Sequence, residues 1–411
     1  MSEIKHMTVN DYDRVMEFIK IVFPDAVSIL ERVIFGSPFR RPDNFAYIEE
    51  DGRIISFVGL FPHRVRLGDS EVRAGEIEAV GTHPKFRGRG LASQLMEYWI
   101  QYMKEEGIAL SWLYGIPNFY QQFGFEYALP FHKYTYTTIA PGQLTDLQPT
   151  HQVRAMEQKD LGAVSSIYDF CNRHISGSAI RSLGYWEHRF QTTTFGPHRW
   201  IVVSDGGAVI GYLWLTESDG ELTVRESGAI NEAACQSMAS YLFELSKAHP
   251  QVREIGVMGP HTSPLARYLY RWGARRACTN EIYPGTWGGM VRIIDLANTL
   301  DALSATMSRR LAASPLSNHS GCYTITSEVG SAGLEIRQGQ VRVVPVSDKA
   351  QGIWIPGPVL TQMIMGYKGL EDRADVVRPQ DETLVQLLSI LFPPDHPWVW
   401  DLELSEELLS V

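Results

Sequence analysis

Cysteine is scarce in this chain: Cys171, Cys235, Cys278 and Cys322 are the four present in 411 residues. No two of them stand in C-x-x-C spacing, which excludes a zinc ribbon or a disulfide framework and leaves small buried apolar side chains as the reading. Histidines such as His83, His132, His174, His188, His198 and His261 lack H-E-x-x-H or any other ligand spacing, so no metal is expected. No apolar run approaches the ~20 residues that cross a bilayer, and Met1-Ser2-Glu3-Ile4-Lys5-His6 carries no apolar signal core; a cytoplasmic protein with no membrane partner is expected. Basic residues are outnumbered, 37 Lys and Arg against 47 Asp and Glu, for a net charge of −10. That balance argues against nucleic acid as a partner and favours the approach of a cationic one. Composition is otherwise ordinary for globular protein, 44% hydrophobic and 20% charged, over a length sufficient for two to three domains.

What is present begins with Arg87-Gly88-Arg89-Gly90-Leu91-Ala92. It follows an apolar-alternating segment, Glu76 to Val80, and opens an amphipathic helix predicted from Leu91 to about Glu105. A strand, a glycine turn and a helix start bring backbone N–H groups together where the helix dipole is positive, and glycine lets a phosphate approach the main chain. About thirty residues on, after a second apolar strand at Ile108 to Tyr114, stands Tyr120-Gln121-Gln122-Phe123-Gly124-Phe125. Arg87-x-x-Gly90-x-Ala92 together with Tyr120-x-x-x-Gly124-Phe125 resembles the two signatures of the GNAT superfamily of acetyl-coenzyme A-dependent N-acetyltransferases. The resemblance implies a pyrophosphate held by Arg87, Gly88, Arg89, Gly90, Leu91, Ala92 and Ser93. It also implies a pantetheine arm bonded to backbone at Val80, Gly81 and Thr82 between splayed fourth and fifth strands, with Tyr120 near the thioester sulfur.

The chain shows a faint duplication. Phe45 to Leu60 reads as a hairpin turning at Asp51-Gly52, and Arg199 to Tyr212 repeats the plan. Gly52 to Gly206 and Gly124 to Gly273 give offsets of about 150 residues, the mark of a repeated domain. The second copy lacks an Arg-Gly-x-Gly turn after Glu226 to Ile230, and Leu269 stands where Tyr120 would fall, so only the first copy is expected to bind coenzyme A and to splay its strands. Proline, glycine and polar residues from Ala140 to Thr150 mark the boundary. From Leu296 a helix, three strands (321–328, 333–337, 340–345) and two helices (358–365, 382–391) resemble the sterol carrier protein type 2 fold. The expected architecture is α/β (α+β): a catalytic GNAT domain at 1–140, a degenerate copy at 150–290 and a sterol-carrier-like unit at 296–411.

That combination resembles the enhanced intracellular survival (Eis) family of bacterial acetyltransferases across the whole chain, with the strand Val291 to Asp295 and the late Phe392-Pro393-Pro394-x-x-x-Pro397-Trp398 as supporting details. The resemblance implies acetylation of amines such as aminoglycosides, a homo-oligomeric ring (a hexamer), and a C-terminal carboxylate, here Val411, acting as base.

The chemistry itself requires a neutral amine, a stabilised oxyanion and a protonated leaving thiolate. Tyr120 is the candidate acid, since tyrosine titrates at about 10 and a thiol at about 8.5. Val80 N–H is the candidate oxyanion donor. Glu78, with Glu76 on the same strand face, is a candidate base through water, alongside Val411. Trp112, Tyr114 and Phe119 are candidates to line a cation pocket, and Asp25 to pair with a cationic substrate. These residues point to acetyl transfer from acetyl-coenzyme A to a primary amine of a cationic small molecule. A protein-lysine acetyltransferase shares the donor site, and a coenzyme A sensor or apolar-ligand carrier without catalysis is the reading from another class.

Overall fold

The structure is a computed structural model that describes residues 2–116, 118–130, 136–192, 198–218, 221–277, 288–373 and 381–399. Its described elements belong to two compact units, one containing residues 1–129 and 282–395, the other 130–281 with 396–400.

The first unit is built on strands β1 (Lys5–His6), β2 (Phe45–Glu50), β3 (Arg53–Leu67), β4 (Ser70–Thr82), β5 (Leu110–Gly115) and β6 (Glu126–Leu129), with helices α1 (Tyr12–Val22), α2 (Val27–Glu31) and α3 (Leu91–Glu105). Asp51 and Gly52 both have positive φ, 51° and 75°, the requirement for the tight turn that joins β2 to β3. α3 buries Leu91, Leu95, Met96, Trp99 and Met103 along one stripe. Trp99 Nε1–H also donates to the Val58 carbonyl at 3.2 Å, so the indole is held by packing and by a hydrogen bond. The other sheet face carries Phe45, Phe57 and Phe61 against Val15, Phe18 and Ile19 of α1. Strands two-sided in this way read as near-continuous apolar runs, which is how β3 reads from Ile54 to Phe61.

The second unit repeats the plan with β7 (Tyr136–Ile139), β8 (Gln152–Ala155), β9 (His198–Asp205), β10 (Ala208–Ser218), β11 (Glu221–Ala229), β12 (Ile255–Met258) and β13 (Arg275–Ala277), and with α4 (Leu161–Asn172), α5 (Leu183–Gln191), α6 (Glu232–Ala248) and α7 (Pro264–Tyr270). The remaining elements are β14 (Gly288–Ile293), α8 (Leu296–Ala312), β15 (Gly321–Ser327), β16 (Gly330–Arg337), β17 (Gln340–Val344), β18 (Gln351–Trp354), α9 (Gly357–Met365) and α10 (Glu382–Leu391).

Sheet order corrects the boundaries expected at 140 and 290. The first sheet runs β1-β2-β3-β4-β5-β14-β6 and the second, read the same way, β8-β9-β10-β11-β12-β7-β13. Each sheet thus takes its strand between the fifth and the last from beyond the expected limit of its own copy: β14 comes from the far side of the second copy, β7 from the end of the first. Hydrophobic periodicity identifies a strand but not its pairing partner, so the exchange was invisible in sequence. The C-terminal limit shifts for a similar reason, because Trp398 is buried with Tyr168 and Trp186 of the second unit and its N–H donates to the Ser176 carbonyl at 2.9 Å.

The C-terminal sheet, β17-β16-β15-β18, includes a strand, β18, that the sequence reading left out, and it belongs to the first unit. α8 touches the β3–β4 turn there: Thr306 Oγ1 accepts from Asp69 N–H at 2.8 Å, and Arg309 pairs with Asp69. α9 meets β6, with Gln362 Nε2–H donating to the Tyr127 carbonyl at 2.9 Å.

Candidate active site

β4 and β5 run parallel for three rungs, Ala74 with Leu110, Gly75 with Ser111 and Glu76 with Trp112, and pairing stops there. β4 continues to Thr82 and β5 to Gly115 without facing each other, so a wedge opens between them. A bulge marks its β4 side: Phe57 faces Gly81 and Gly59 faces Glu78, so Val58 alone opposes Ala79 and Val80. Ala79 carries the strain with φ 52°, uncommon for a residue with a Cβ. The bulge turns the main chain at Ala79 and Val80, and β4 then rejoins β3, with Gly81 opposite Phe57 and Thr82 opposite Ser56. Gly81 is close-packed on its other side, where a Cβ would lie 2.7 Å from the Phe23 ring.

Directly after β4 come the two glycines. Gly88 has φ 78° and Gly90 φ 71°, and nothing stands within 4 Å of a Cβ at either position. Gly90 is the N-cap of α3, and no side chain caps the helix. The first-turn N–H groups at Leu91, Ala92 and Ser93 therefore meet an open, positively polarised concavity, which suits a phosphate. The arginines are less committed to it: Arg87 Nε–H donates to the Thr82 carbonyl at 3.3 Å, and Arg89 pairs with Glu50 at 2.7 Å. Both are exposed.

Tyr120 begins a short 3-10 helix, Tyr120–Phe123, closed by Gly124 with φ 75°. It is 8% exposed and packs among Ile77, Leu113, Phe123 and Phe125. Burial, followed by the nearby Glu78 carboxylate, raises its phenol well above the ordinary value. Glu76 and Glu78 are both buried on β4, but they have different partners. Glu76 is bonded to His63 Nε2 at 2.8 Å, and the imidazole stacks on Trp112 at 5.2 Å between centroids. Glu78 is the carboxylate that bears on Tyr120. His63 was missing from the sequence reading; its signal, a polar residue breaking the apolar run of β3, gains meaning only through the β3–β4 register.

The remaining expected residues divide. Phe119 stands edge-on to Tyr120 at 4.9 Å and is half-buried. Trp112 is 3% exposed with a face covered by His63, so it walls the closed end of the wedge. Asp25 is exposed on the turn after Phe23, the residue packed on Gly81. Val411 lies outside the described residues. Among the described residues no cluster of three or more metal-ligating side chains occurs, and no helix is long and apolar enough to cross a membrane.

The second sheet departs from expectation in one respect. β11 and β12 also pair for three rungs, ending at Val224 with Val257, while β11 continues to Ala229, so this copy splays as well. Glu226 stands two residues past the last rung, as Glu78 does past Glu76. Here the carboxylate is buried against Arg181 at 2.9 Å and accepts from the Tyr212 hydroxyl at 2.9 Å. The adjoining cavity, about 270 Å³, is lined by Phe170, Ile230, Glu232, Cys235, Tyr268 and Arg271 among others, and Arg271 pairs with Glu232.

Residues 3–128 match the acetyltransferase (GNAT) domain family. This stretch is a GNAT acetyltransferase domain. With the wedge and the uncapped helix in place, the chain is an acetyl-coenzyme A-dependent acyltransferase. Solved structures are similar over nearly the full length. A GCN5-related N-acetyltransferase from Anabaena variabilis aligns with TM-score 0.77 and 16% identity, covering 98% of this chain and 100% of its own. A probable N-acyltransferase from Enterococcus faecalis gives 0.73 and 17%, with 95% and 96% covered. Eis1 from Mycobacterium abscessus gives 0.66 and 15%, with 97% and 100% covered. At such identities the likeness speaks for the fold. No curated protein matches the chain.

Proposed function

We propose that the first unit transfers the acetyl group of acetyl-coenzyme A to a primary amine of a cationic small molecule by direct attack. The observation that carries this is the juxtaposition of the β4–β5 wedge, the uncapped glycine start of α3 and the Tyr120–Glu78 pair. The amine nitrogen attacks the thioester carbon, its proton passes through water to Glu78, and the C–S bond breaks. Glu76 is bonded to His63, and Glu78 is the carboxylate that bears on Tyr120. The oxyanion is met by backbone N–H at Val80.

Tyr120 serves the departing sulfur. Because its phenol is raised well above the ordinary range, it stays protonated throughout neutral pH and gives up its proton reluctantly. Its contribution is then a hydrogen bond to developing thiolate, with full protonation left to solvent, and this is smaller than complete general-acid catalysis. Net charge of −10 and exposed Asp25 favour a cationic acceptor. The length, domain order and likeness to Eis1 support placement in the Eis family, with a sterol-carrier-like C-terminal unit, a hexameric assembly and a cytoplasmic setting as parts of that reading.

A thiol-release assay across polyamines, aminoglycosides, amino acids and lysine peptides tests the proposal. Turnover on small polyamines or aminoglycosides is expected; turnover confined to peptides would move the assignment to protein lysine.

A further inference from the structure

The cavity beside the second wedge is walled by four elements of one unit: the end of α4, the end of β11, the start of α6 and one face of α7. Its volume of about 270 Å³ lies just below the ~300–1,000 Å³ of drug-sized ligand sites, so it suits a smaller molecule. Phe170, Ile230, Tyr268 and Cys235 supply apolar surface. Phe170 and Ile230 are each 47% exposed although they share one concavity, and an occupant would take that surface out of water. Burial pushes the Cys235 thiol up to about 12, so it stays neutral and acts as wall, not as nucleophile.

Charge enters from α7. Arg267 and Arg271 stand four residues apart, on one helix face, and both line the cavity. Arg271 is neutralised by its pairing with Glu232. The Arg267 side chain is exposed and has neither an ion pair nor a hydrogen bond among the described residues. Two arginines less one glutamate leave a single positive charge facing the cavity. The first copy has no such charge. Counted back from the left-handed glycines that follow the two short helices, Gly124 and Gly273, the arginines fall on Asn118 and Gln122. The second copy thus lacks the glycine loop before its long helix and carries cations on the short helix after the next strand.

We propose that this cavity binds a small monocarboxylate with an apolar body, its head on Arg267 and its body between Phe170, Ile230 and Tyr268. A guanidinium offers a carboxylate two parallel N–H donors in a fixed fork. One net positive charge matches one carboxylate. A pyrophosphate, with several negative charges, would meet Glu232 at the same wall. The second wedge is then a ligand site of different chemistry from the first.

Calorimetry on the full-length protein in saturating coenzyme A, which occupies the first wedge, tests this with hexanoate as the probe. One binding event with Kd about 0.3 mM is expected. Acetate keeps the head without the body and hexanol the body without the head, so each should bind at least about 10-fold more weakly. Arg267→Met should weaken hexanoate about 10-fold with circular dichroism unchanged, and Phe170→Ala about 5-fold. Glu232→Gln removes a negative charge and frees Arg271, so it should tighten hexanoate about 5-fold, an effect that apolar adsorption alone would not give. Hexanoate binding no tighter than that of acetate or hexanol, or unaffected by Arg267→Met, overturns the proposal. So does the absence of hexanoate binding at about 10 mM by both calorimetry and thermal shift.

Discussion

The N-terminus of α3 and that of α6 follow corresponding strands, β4 and β11, and end differently. α3 opens on Gly90 in the left-handed region, which offers no side-chain cap to its first N–H groups. α6 opens on Asn231, extended at φ −153°, whose side chain accepts from Ala234 N–H at 2.9 Å, and Glu232 occupies the first turn. One helix start is left unsatisfied for a ligand, while the other satisfies itself and adds a carboxylate that repels one. The same divergence recurs two residues past the last strand rung, where Glu78 bears on Tyr120 and Glu226 is neutralised by Arg181. In the second sheet both positions are closed by bonds within the chain: Asn231 caps α6, and Arg181 pairs with Glu226.

The sharpest break of that symmetry is at the paired carboxylates. Arg181 is enclosed by the rings of Tyr168 and Trp186, 4.2 and 4.8 Å from its guanidinium carbon, and its side chain is 4% exposed. Arg181→Met strands Glu226 in that interior and should cost about 3–5 kcal/mol by chemical denaturation. Glu78→Gln, at the equivalent register, should leave stability within about 1 kcal/mol while lowering kcat/KM and moving its acidic limb. Equal stability losses from the two changes would make Glu78 a structural residue like its counterpart.

Next in size is Gly90→Val. There is room for the side chain, so the penalty is conformational: a β-branched residue at φ 71° forces the turn elsewhere and scatters the N–H groups. Acetyl-coenzyme A affinity by calorimetry should drop about 100-fold with circular dichroism unchanged. Retained affinity would remove the donor site from this loop.

Tyr120→Phe tests the reluctant donor. Turnover should fall about 10–100-fold, at or below the low end of the ~10²–10⁴-fold range for proton transfer, with donor affinity unchanged. Tyr270→Phe, which loses only a 3.1 Å bond to Thr137 Oγ1 in the second copy, should leave turnover alone. The phenol has a second readout. Folded Tyr120 holds a proton that the unfolded chain releases from about pH 10, so stability is intact below pH 10 and declines above it, by about 1.4 kcal/mol per pH unit until the folded phenol itself ionises. The phenylalanine variant should lose part of that alkaline slope; an identical slope would place the tyrosine in a solvated environment.

Much of this was legible because it was local. The Asp51-Gly52 turn, the limits of α3 and the glycine pair are written in adjacent residues whose backbone demands are unambiguous. The strands of the C-terminal sheet are legible nearly one for one, apart from β18, whose Gln351-Gly352-Ile353-Trp354 has neither strong alternation nor apolar content. What stayed hidden was pairing. The exchange of β7 and β14, the His63–Glu76 bond and the approach of Arg292 to Gly124 each join residues at least 13 apart, and period-two patterns carry no record of partners. Splaying of the second sheet was likewise misjudged, because the absence of a glycine loop removes the ligand and not the wedge.

The smallest expected effect bears most directly on the comparison. Asn231→Ala deletes the α6 cap and should cost about 1 kcal/mol, read as a modest shift in denaturation midpoint, while acetyl-coenzyme A binding stays confined to the first unit. Asn231→Gly should cost only a few tenths of that, since glycine is itself a tolerated cap. It also recreates the α3 arrangement most nearly, yet it should bind no coenzyme, because Glu232 keeps negative charge at the helix start and no glycine loop precedes it. Adding Glu232→Gln removes the repulsion and frees Arg271 from its partner, giving the second wedge its best chance to take an anion. If the double variant gains a second calorimetric binding event for coenzyme A, the two copies differ only at the helix cap. If it gains none, the glycines before α3 are indispensable, and an open wedge with an uncapped helix is not by itself a donor site.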